Sequence, residues 1–465
     1  MCGIIGISNH KDAAKVAFLG LYALQHRGEE SAGIASFDGK DIHMVKNRGL
    51  VADAINADAL IELTGPTAIG HCRYSTTGSS TFKNIQPFLV IHRNRPVAIA
   101  HNGNLTNTEE LYRKLEDEGA IFQTTMDSEI IVHLLARVKN GDMKQWFINV
   151  LSQLEGAFSL IFLVGDTIVG ARDPKGFRPL CLGKLDDSYV LASESCALDI
   201  MKAKFIRELD PGEIVIINGN KIESTFLPKK EKAPGPKAQC VFENVYFARP
   251  DSHIFDDNVY QVRKRLGEQL AIEHPVAGAD FVMPIPDSGM YAALGYAQKL
   301  DIPFEIGMIR NHYIGRTFIQ PTQFVRDFRV RVKLNPIRDI LKGKKVIVVE
   351  DSIVRGTTSR NRIEVLREAG VKEIHMRISC PPIKSPCFYG IDFPSKKELI
   401  ADNKSVREIA EFIKVDSLEY LSLEGMLGVM KSNKDFCSAC FTGKYPVKVP
   451  GNTSKYLLEG KTSKA

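Results

Sequence analysis

The stretch from Val346 to Ser359 constrains the fold of this chain more than any other. Residues 346–349 are all β-branched, which favours a strand that is buried on both faces, as in a parallel sheet. Gly356 and the hydroxyl residues after it open a helical pattern that continues to Glu368. The unpaired N–H groups and the positive dipole end of such a helix start favour an anion. The sequence therefore predicts a buried strand that leads into a phosphate-binding loop.

Two acidic residues, Glu350 and Asp351, stand between that strand and the loop. Adjacent carboxylates would repel a bare polyanion, so they predict a ligand with sugar hydroxyls and a divalent cation nearby. The stretch matches neither the GxxxxGK[ST] P-loop nor the GxGxxG dinucleotide motif. An ordinary strand-to-helix turn is the alternative. The pattern resembles the phosphoribosylpyrophosphate (PRPP) signature of type I phosphoribosyltransferases, and departs from it at Glu350, where that family usually has aspartate.

The length of the chain predicts two domains. A chain of 465 residues exceeds what a single hydrophobic core usually serves. The segment 227–237 is rich in proline, glycine and charge, which disfavours a packed core there. We therefore expect a first domain over residues 1–230 and a second domain over residues 231–465.

Composition and charge exclude several classes of protein. Hydrophobic residues make up 44% of the chain, and no apolar run approaches the roughly 20 residues needed to cross a membrane. The N-terminus lacks the basic and apolar regions of a secretory signal, so a cytosolic protein without a membrane partner is expected. The net charge is only +6, and the one dense basic run, 326–338, is interrupted by Asp327 and apolar residues. Nucleic acid is therefore not the expected partner.

The N-terminal residues Met1 and Cys2 suggest a nucleophile. A small second residue generally permits removal of the initiator methionine, which would leave Cys2 with a free α-amino group. Such an amine titrates at about 7.7–8.0, so its neutral fraction can take the thiol proton without a separate histidine base. The alternative is that Cys2 is merely a small buried hydrophobe.

Further motifs accompany Cys2 at predicted strand or helix ends, and these lie at residues 25–33, 71–76, 101–105 and 127–129. Together with the N-terminal Met-Cys-Gly-Ile they resemble the glutamine amidotransferases of the N-terminal-nucleophile class. The resemblance implies that Cys2 attacks the side-chain amide of glutamine. It also implies that Asn102 and the N–H of Gly103 form the oxyanion hole, since both can direct neutral donors at the developing negative charge.

The same resemblance implies how glutamine is bound. Arg73 would hold the α-carboxylate through a bidentate fork, and Asp127 would hold the α-ammonium group. Arg27 and Gly28 would form the wall beside Cys2. The residues expected to bind glutamine are Arg27, Gly28, Arg73, Thr76 and Asp127.

The rest of the first half predicts a scaffold of strands and helices. Strand pairs are expected around the turn signals at 36–40 and 94–96 and at 160–171 and 180–192, and helices at 11–25, 109–118 and 128–137. Antiparallel strands with segregated helices indicate stacked sheets with helices outside. The resemblance implies a four-layer αββα sandwich.

In the second half, a parallel sheet requires strand–loop–helix units. Their strands are predicted at 281–285, 304–310 and 346–349. Strand ends at one sheet edge form one site, and the phosphoribosyltransferase resemblance implies its ligands. The residues expected to bind PRPP are Asp287, Arg316, Glu350, Asp351, Ser352, Arg355, Gly356, Thr357 and Thr358. Mg²⁺ is expected near Ser288, Glu350 and Asp351, where it would keep several waters.

The connection 311–335 is long for a compact domain, which usually signals a functional lid. Within it, the segment 310–320 resembles the flexible loop of amidophosphoribosyltransferases. Closure would bring Arg316 onto the phosphates and exclude water. Exclusion matters because ammonia in neutral water becomes mostly ammonium, which has no lone pair to attack the sugar carbon.

The cysteines outside the first site suggest a metal centre. Nine cysteines in a cytosolic chain disfavour a disulfide framework, and a CxxC pair with two further cysteines could bind zinc as well as iron and sulfur. The residues 440–446 resemble those of the enzyme subgroup that holds a 4Fe–4S cluster. That resemblance implies a 4Fe–4S cluster on Cys240, Cys387, Cys437 and Cys440, with Cys380 as a competing ligand.

These resemblances cover nearly the whole chain. They imply an enzyme that makes 5-phosphoribosylamine, pyrophosphate and glutamate from PRPP, glutamine and water. The alternatives are a PRPP-sensing protein without catalysis, a glutaminase that serves another acceptor, and a nucleic-acid-binding role through 326–338. The family also implies feedback inhibition by purine nucleotides and assembly as a homodimer or homotetramer.

Overall fold

The computed structural model describes residues 1–74, 78, 80–92, 95–228, 237–311, 334–393, 395–451 and 458. Most of the predicted lid, including Arg316, lies outside the described residues, and so does Thr76. Within the described ranges, the search for a helix long and apolar enough to cross a membrane finds none.

In its described part, the first half of the chain contains two stacked antiparallel sheets. The strands of the first sheet, in spatial order, are Lys204–Glu208, Cys181–Leu185, Ser188–Ala192, Gly3–Ser8, Thr67–Arg73, Ser31–Phe37 and Ile42–Arg48. Those of the second sheet are Lys221–Phe226, Glu213–Asn218, Thr167–Arg172, Gly156–Val164, Arg95–Leu105 and Phe88–His92. The predicted hairpin at 36–40 is confirmed by the pairing of its flanking strands. The two strands predicted around 94–96 also pair, but Arg95 and Pro96 belong to the second strand rather than to a turn.

Helices cover the outer faces of both sheets. Ala13–Ala23, Val51–Ala54, Ala57–Glu62 and Ser195–Ile200 accompany the first sheet, and Thr108–Asp117, Asp127–Arg137 and Met143–Leu151 the second. The strand Gly156–Val164 is buried throughout because its side chains alternate between two cores. Phe158 and Phe162 pack among the helices, whereas Ile161 and Leu163 pack between the sheets. The expected four-layer αββα sandwich is confirmed.

The second half contains a parallel sheet of Phe281–Pro284, Lys345–Glu350, Glu373–Ile378 and Ser417–Tyr420. Its helices are Val259–Glu273, Met290–Leu300, Arg338–Leu341, Thr357–Glu368, Ile400–Asn403, Val406–Ile413, Leu423–Gly428 and Ala439–Thr442. Three-residue 3₁₀ turns occur in both halves, at Gln25–Arg27 and Phe82–Asn84 in the first and at Lys396–Glu398 in the second. The strands predicted at 281–285 and 346–349 are confirmed.

The prediction that residues 304–310 form a strand of this parallel sheet is wrong. Phe304 makes only an isolated bridge to Val282. Met308–Arg310 pairs antiparallel with Leu334–Pro336 instead, and these two strands flank the long connection. The segment therefore forms the base of that connection, because its hydrogen-bonding partner comes from the other end of the loop.

Two helices of the second half cross at glycines. A Cβ on Gly267 would come within 1.8 Å of the Ala292 carbonyl oxygen, and one on Gly295 within 2.1 Å of the Lys264 carbonyl oxygen. The missing side chains let the two backbones approach closely. The second of these helices, Met290–Leu300, begins directly after Ser288 and Gly289, so the crossing positions the predicted PRPP site.

Replacing Gly267 with alanine tests this crossing. Gly267→Ala is expected to lower the thermal unfolding midpoint by several degrees, because the added methyl group forces the helices apart. Gly428→Ala is the matched control, since a Cβ at that helical position meets nothing within 4 Å. Thermal melts followed by circular dichroism compare the two variants. A Gly267→Ala midpoint equal to that of wild type would contradict the close crossing.

Candidate active sites

Cys2 lies just before the strand Gly3–Ser8, where the two stacked sheets face each other. It is buried, its backbone nitrogen donates to Asn102 Oδ1 at 3.2 Å, and its thiol lies 3.5 Å from the carbonyl oxygen of Tyr74. Asn102 belongs to Arg95–Leu105 in the opposite sheet. The stacking of the sheets therefore brings together the predicted nucleophile and the predicted oxyanion donor.

The side-chain amide of Asn102 has an unpaired donor in the described part of the structure. Its Nδ2 is buried and has no hydrogen-bond partner among the described residues. A buried unpaired donor costs free energy unless a ligand accepts from it. The next residue, Gly103, has φ of 155°, and a Cβ there would come within 2.1 Å of the Ala157 carbonyl oxygen. Only glycine fits this position, so the backbone of the proposed oxyanion hole depends on it.

The predicted carboxylate-binding residue Arg73 ends the strand Thr67–Arg73 and is buried. Gly28 packs directly on its main chain, because a Cβ on Gly28 would come within 2.5 Å of the Arg73 carbonyl carbon. These two predicted residues therefore lie together. Thr76, a few residues farther on, falls outside the described residues.

Asp127 is tied to the oxyanion strand. One carboxylate oxygen accepts from the Leu105 N–H at 3.1 Å, and the other lies 3.2 Å from Nδ1 of His101. Burial raises the pKa of Asp127, but the charge of His101 and the hydrogen bonds outweigh it and hold that pKa below its ordinary value. Asp127 is therefore ionised at neutral pH, as binding of an ammonium group requires.

Arg27 lies beside Cys2, as expected, but its guanidinium group is occupied by the protein. Its Nε donates to the Cys2 carbonyl oxygen at 2.9 Å, and its terminal nitrogens donate to Glu243 at 3.0 and 2.8 Å and also to Glu194. The two acids were not predicted as site residues. No sequence motif marks them, because Glu243 stands 216 positions from Arg27.

The predicted PRPP residues gather at the end of the parallel sheet. Pro284 pairs with Val349, which places the Asp287 loop next to Asp351. The Ser288 side chain interacts with the Asp351 carboxylate and opposes the rise in the pKa of Asp351 that burial causes. The ends of two adjacent parallel strands thus form one edge, as the sequence predicted.

The phosphate loop ends in a glycine with a left-handed backbone. Gly356 has φ of 76°, and a Cβ there would come within 2.6 Å of Ile400 Cδ1. The helix Thr357–Glu368 begins immediately afterwards, with Thr357 and Thr358 exposed. Its first N–H groups are therefore directed at the loop, as anion binding requires.

The two acids at the strand end are buried and differ in their partners. Glu350 accepts from Arg362 and from the Ser359 hydroxyl at 3.1 Å, so Ser359 is not available to a phosphate. Asp351 accepts from the neighbouring Ser352 hydroxyl. Burial raises the pKa of Glu350 to about 7, although Arg362 opposes this, and burial also raises the pKa of Asp351. Two buried acids side by side favour a nearby cation.

Two other predicted PRPP residues lie on the solvent side of this edge. Arg355 pairs with Glu398 at 2.8 Å, and Asp287 pairs with Arg310 at 2.5 Å. All four side chains are at least half exposed, so a charged ligand could displace these pairs at little cost.

The four predicted cluster cysteines come together from three segments. Gln239–Cys240 and Phe436–Cys437 pair in parallel, with Cys240 opposite Cys437. The carbonyl oxygen of Cys440 accepts from the N–H groups of Lys384 and Ser385, each at 3.0 Å, just before Cys387. Burial, with a contribution from the neighbouring Cys387, raises the pKa of Cys240 to about 11 even though Arg178 opposes it. Burial and the other three thiols likewise raise the pKa of Cys440.

Among the residues that the structure describes, no three His, Cys, Asp or Glu side chains are gathered closely enough to hold a metal ion. A tetrahedral zinc draws its sulfurs to about 2.3 Å from one centre, whereas an iron–sulfur cluster distributes its thiolate ligands around a larger core. Cys240 and Cys440 are buried and Cys387 and Cys437 are partly buried, and the kind of metal group that they would hold stays a prediction.

Two domain models of known families match this chain, one in each half, in the same order along the sequence as the two candidate sites. A glutamine amidotransferase domain model matches residues 71–199, and a phosphoribosyl transferase domain model matches residues 261–413. The two matches lie on opposite sides of the predicted boundary after residue 230, which itself stays a prediction.

Full-length relatives cover both regions. The amidophosphoribosyltransferase of Methanocaldococcus jannaschii is 49% identical over 464 residues, which is 97% of this chain and 98% of that protein. A solved structure of "the allosteric regulatory enzyme of purine biosynthesis" has a TM-score of 0.92 at 45% identity, covering 97% of this chain and 98% of that one. The glutamine PRPP amidotransferase from B. subtilis, complexed with ADP and GMP, gives 0.91 at 44% identity and coverage of 97% and 99%. This chain therefore belongs to the amidophosphoribosyltransferases, which transfer ammonia from glutamine to PRPP in the first step of purine biosynthesis.

Proposed function

We propose that Cys2, Asn102 and Gly103 carry out the glutaminase half of this reaction. The observation that carries the proposal is the hydrogen bond from the Cys2 nitrogen to Asn102 Oδ1, beside a buried and unpaired Nδ2. The Cys2 thiolate attacks the side-chain carbon of glutamine. The oxyanion accepts from Asn102 Nδ2 and the Gly103 N–H, the amide nitrogen takes up the proton that the thiol gave to the base and leaves as ammonia, and water then releases glutamate from the thioester.

The base in this mechanism is the α-amine of Cys2. In the structure this nitrogen belongs to the Met1–Cys2 peptide, and an amide nitrogen does not take up a proton at neutral pH. Removal of Met1 therefore has to precede catalysis. Burial lowers the pKa of the Met1 amine to about 6. Burial would favour the neutral form of a Cys2 amine in the same way, and a base for the thiol proton must be neutral.

Glutamine is proposed to bind through both of its charged ends. Arg73 holds the α-carboxylate, and the ionised Asp127 holds the α-ammonium group. Arg27 and Gly28 form the adjoining wall. Thr76 is proposed as a further contact.

For the acceptor, we propose that PRPP binds at the end of the parallel sheet with its 5′-phosphate at the start of the helix Thr357–Glu368. The phosphate accepts from main-chain N–H groups and nearby hydroxyls. The proposed contacts are Asp287, Arg316, Glu350, Asp351, Ser352, Arg355, Gly356, Thr357 and Thr358. Ser288, Glu350 and Asp351 would hold Mg²⁺, which when bound neutralises the departing pyrophosphate. The two acids accept hydrogen bonds from the ribose hydroxyls and keep the sugar oriented.

Contacts between the two halves support direct passage of ammonia. Asn104 Nδ2 donates to the Phe388 carbonyl oxygen at 3.0 Å. A Cβ on Gly390 would come within 3.0 Å of the Gly103 carbonyl carbon. Part of the second half thus packs on the oxyanion strand, so ammonia is released beside the interface and kept from bulk water.

Coupled turnover is the first expected outcome. Incubated without oxygen with glutamine, Mg²⁺ and PRPP, the chain should release glutamate and pyrophosphate in equal amounts. Omission of PRPP should strongly slow glutamate release, because the second site is then unoccupied. Enzymatic assays of both products provide the measurement. Glutamate formed equally fast without PRPP, and no pyrophosphate, would show that the acceptor is assigned wrongly.

Asn102→Ala tests the oxyanion hole. Loss of one such donor is expected to lower kcat for glutamine-dependent turnover by about 10²–10³-fold. Turnover with added ammonia bypasses Cys2 and should stay at the wild-type rate, which provides the internal control. The two rates are compared at saturating PRPP. An unchanged glutamine kcat would remove Asn102 from the mechanism.

Cys240, Cys387, Cys437 and Cys440 are proposed to hold a 4Fe–4S cluster. Such a group, when bound, cross-links the segments that carry its ligands. The support is the convergence of two buried and two partly buried thiols, which includes the parallel pairing of Cys240 with Cys437.

Cys437→Ser is expected to lower the iron and acid-labile sulfide bound per chain, because serine replaces one thiolate ligand. Cys181→Ser is the matched control, since that buried thiol lies in the first half and donates to Ala192. Metal analysis of anaerobically purified protein measures both. One zinc per chain, without sulfide, would contradict the assignment.

Regulation and assembly remain proposals as well. Purine nucleotides are proposed as feedback inhibitors, and the complex of the B. subtilis relative with ADP and GMP supports this. Assembly as a homodimer or homotetramer and a cytoplasmic location stay predictions from the family resemblance and the sequence.

A further inference from the structure

A buried ion cluster lies directly behind the proposed nucleophile. It consists of Arg27, Arg178, Glu194 and Glu243, whose side chains are all fully excluded from solvent. Two guanidinium groups face two carboxylates, so the formal charges of this set balance. Burial of four charges carries a large desolvation cost, which is offset only where every partner is present and hydrogen-bonded. We call this set the Arg27 cluster.

Arg27 connects the cluster to the nucleophile. Its Nε donates to the Cys2 carbonyl oxygen at 2.9 Å, while its terminal nitrogens donate to both oxygens of Glu243 at 3.0 and 2.8 Å. A two-point contact sets the plane of the guanidinium group as well as its position. The direction of the Nε–H, and with it the place of the Cys2 carbonyl group, follows from that plane. The Cys2 nitrogen is held separately by Asn102.

Glu243 comes from the other half of the chain. It begins the π-helical turn Glu243–Phe247, on the C-terminal side of the predicted domain boundary. Arg178 pairs with the same carboxylate at 3.3 Å and donates to the carbonyl oxygen of Tyr389 at 2.6 Å. The packing of the second half therefore places the carboxylate that orients Arg27.

We propose that Glu243 is a positioning residue for the glutaminase reaction, because its carboxylate holds Arg27 and Arg27 holds the main chain of Cys2 for attack. The inference rests on the proposed role of Cys2. A misplacement of the attacking atom by about 1 Å costs on the order of 10²-fold in rate. Glu243 contacts Arg27 and Arg178 rather than Arg73 or Asp127, so the effect falls on kcat and not on KM for glutamine.

The experiment compares Glu243→Gln with Glu243→Asp in the full-length protein. Glutamine keeps the size but loses the charge and one acceptor oxygen. We expect kcat for glutamine-dependent turnover to fall about 10- to 100-fold with an unchanged KM. Aspartate retains the charge and both oxygens and should recover part of the loss. Turnover with added ammonia should stay at the wild-type rate in both variants.

Glu213→Gln is the matched control. This buried carboxylate also pairs with an arginine, Arg207, through both oxygens at 2.7 and 2.6 Å, and it has no contact with Cys2. Its glutamine kcat should equal that of wild type. A wild-type kcat in Glu243→Gln, or an equal loss with glutamine and ammonia, would overturn the inference. A wild-type enzyme that releases no glutamate would instead refute the proposed function.

Discussion

The arrangement of the two halves of the enzyme depends on the buried charges of the Arg27 cluster. The first half contributes Arg27, Arg178 and Glu194, and the second contributes Glu243. Removal of one member of such a set leaves an uncompensated buried charge, which typically costs about 3–5 kcal/mol. The halves are therefore stable together in the arrangement that pairs all four charges. Because Arg27 also donates to the Cys2 carbonyl oxygen, the same arrangement fixes the main chain of the proposed nucleophile.

The two sites use different parts of their sheets. The proposed glutaminase site lies where two antiparallel sheets face each other, and Cys2, Asn102 and Asp127 are buried there. The proposed PRPP site lies at the ends of parallel strands, where the exposed Thr357 and Thr358 can be reached by a large charged substrate. The segment that connects them carries Cys387, and its next residue, Phe388, accepts from Asn104 on the oxyanion strand. The proposed cluster would thus hold the segment that lies between the two sites.

Local sequence patterns predicted most of the elements that carry these sites. The strand Lys345–Glu350, the helix after Gly356 and the hairpins of the first half follow from patterns that span a few residues. The strand Glu373–Ile378 lacks such a pattern, because its polar residues alternate with apolar ones although it is an inner strand of a parallel sheet. The inner strands of parallel sheets are usually continuous apolar runs, so this strand does not show the pattern by which they are predicted.

By itself, the sequence determined which chemical groups are available and where many of the strands and helices lie. The proposed nucleophile Cys2, the proposed oxyanion residue Gly103 and the predicted phosphate loop belong to this class, since a short motif marks each of them. Only the tertiary structure decided that Glu243 binds Arg27, that Cys240 pairs with Cys437, and that the Ser359 hydroxyl donates to Glu350. Hydrogen bonds and ion pairs act over a few ångströms in space, so partners brought together only by folding leave no local pattern in the sequence.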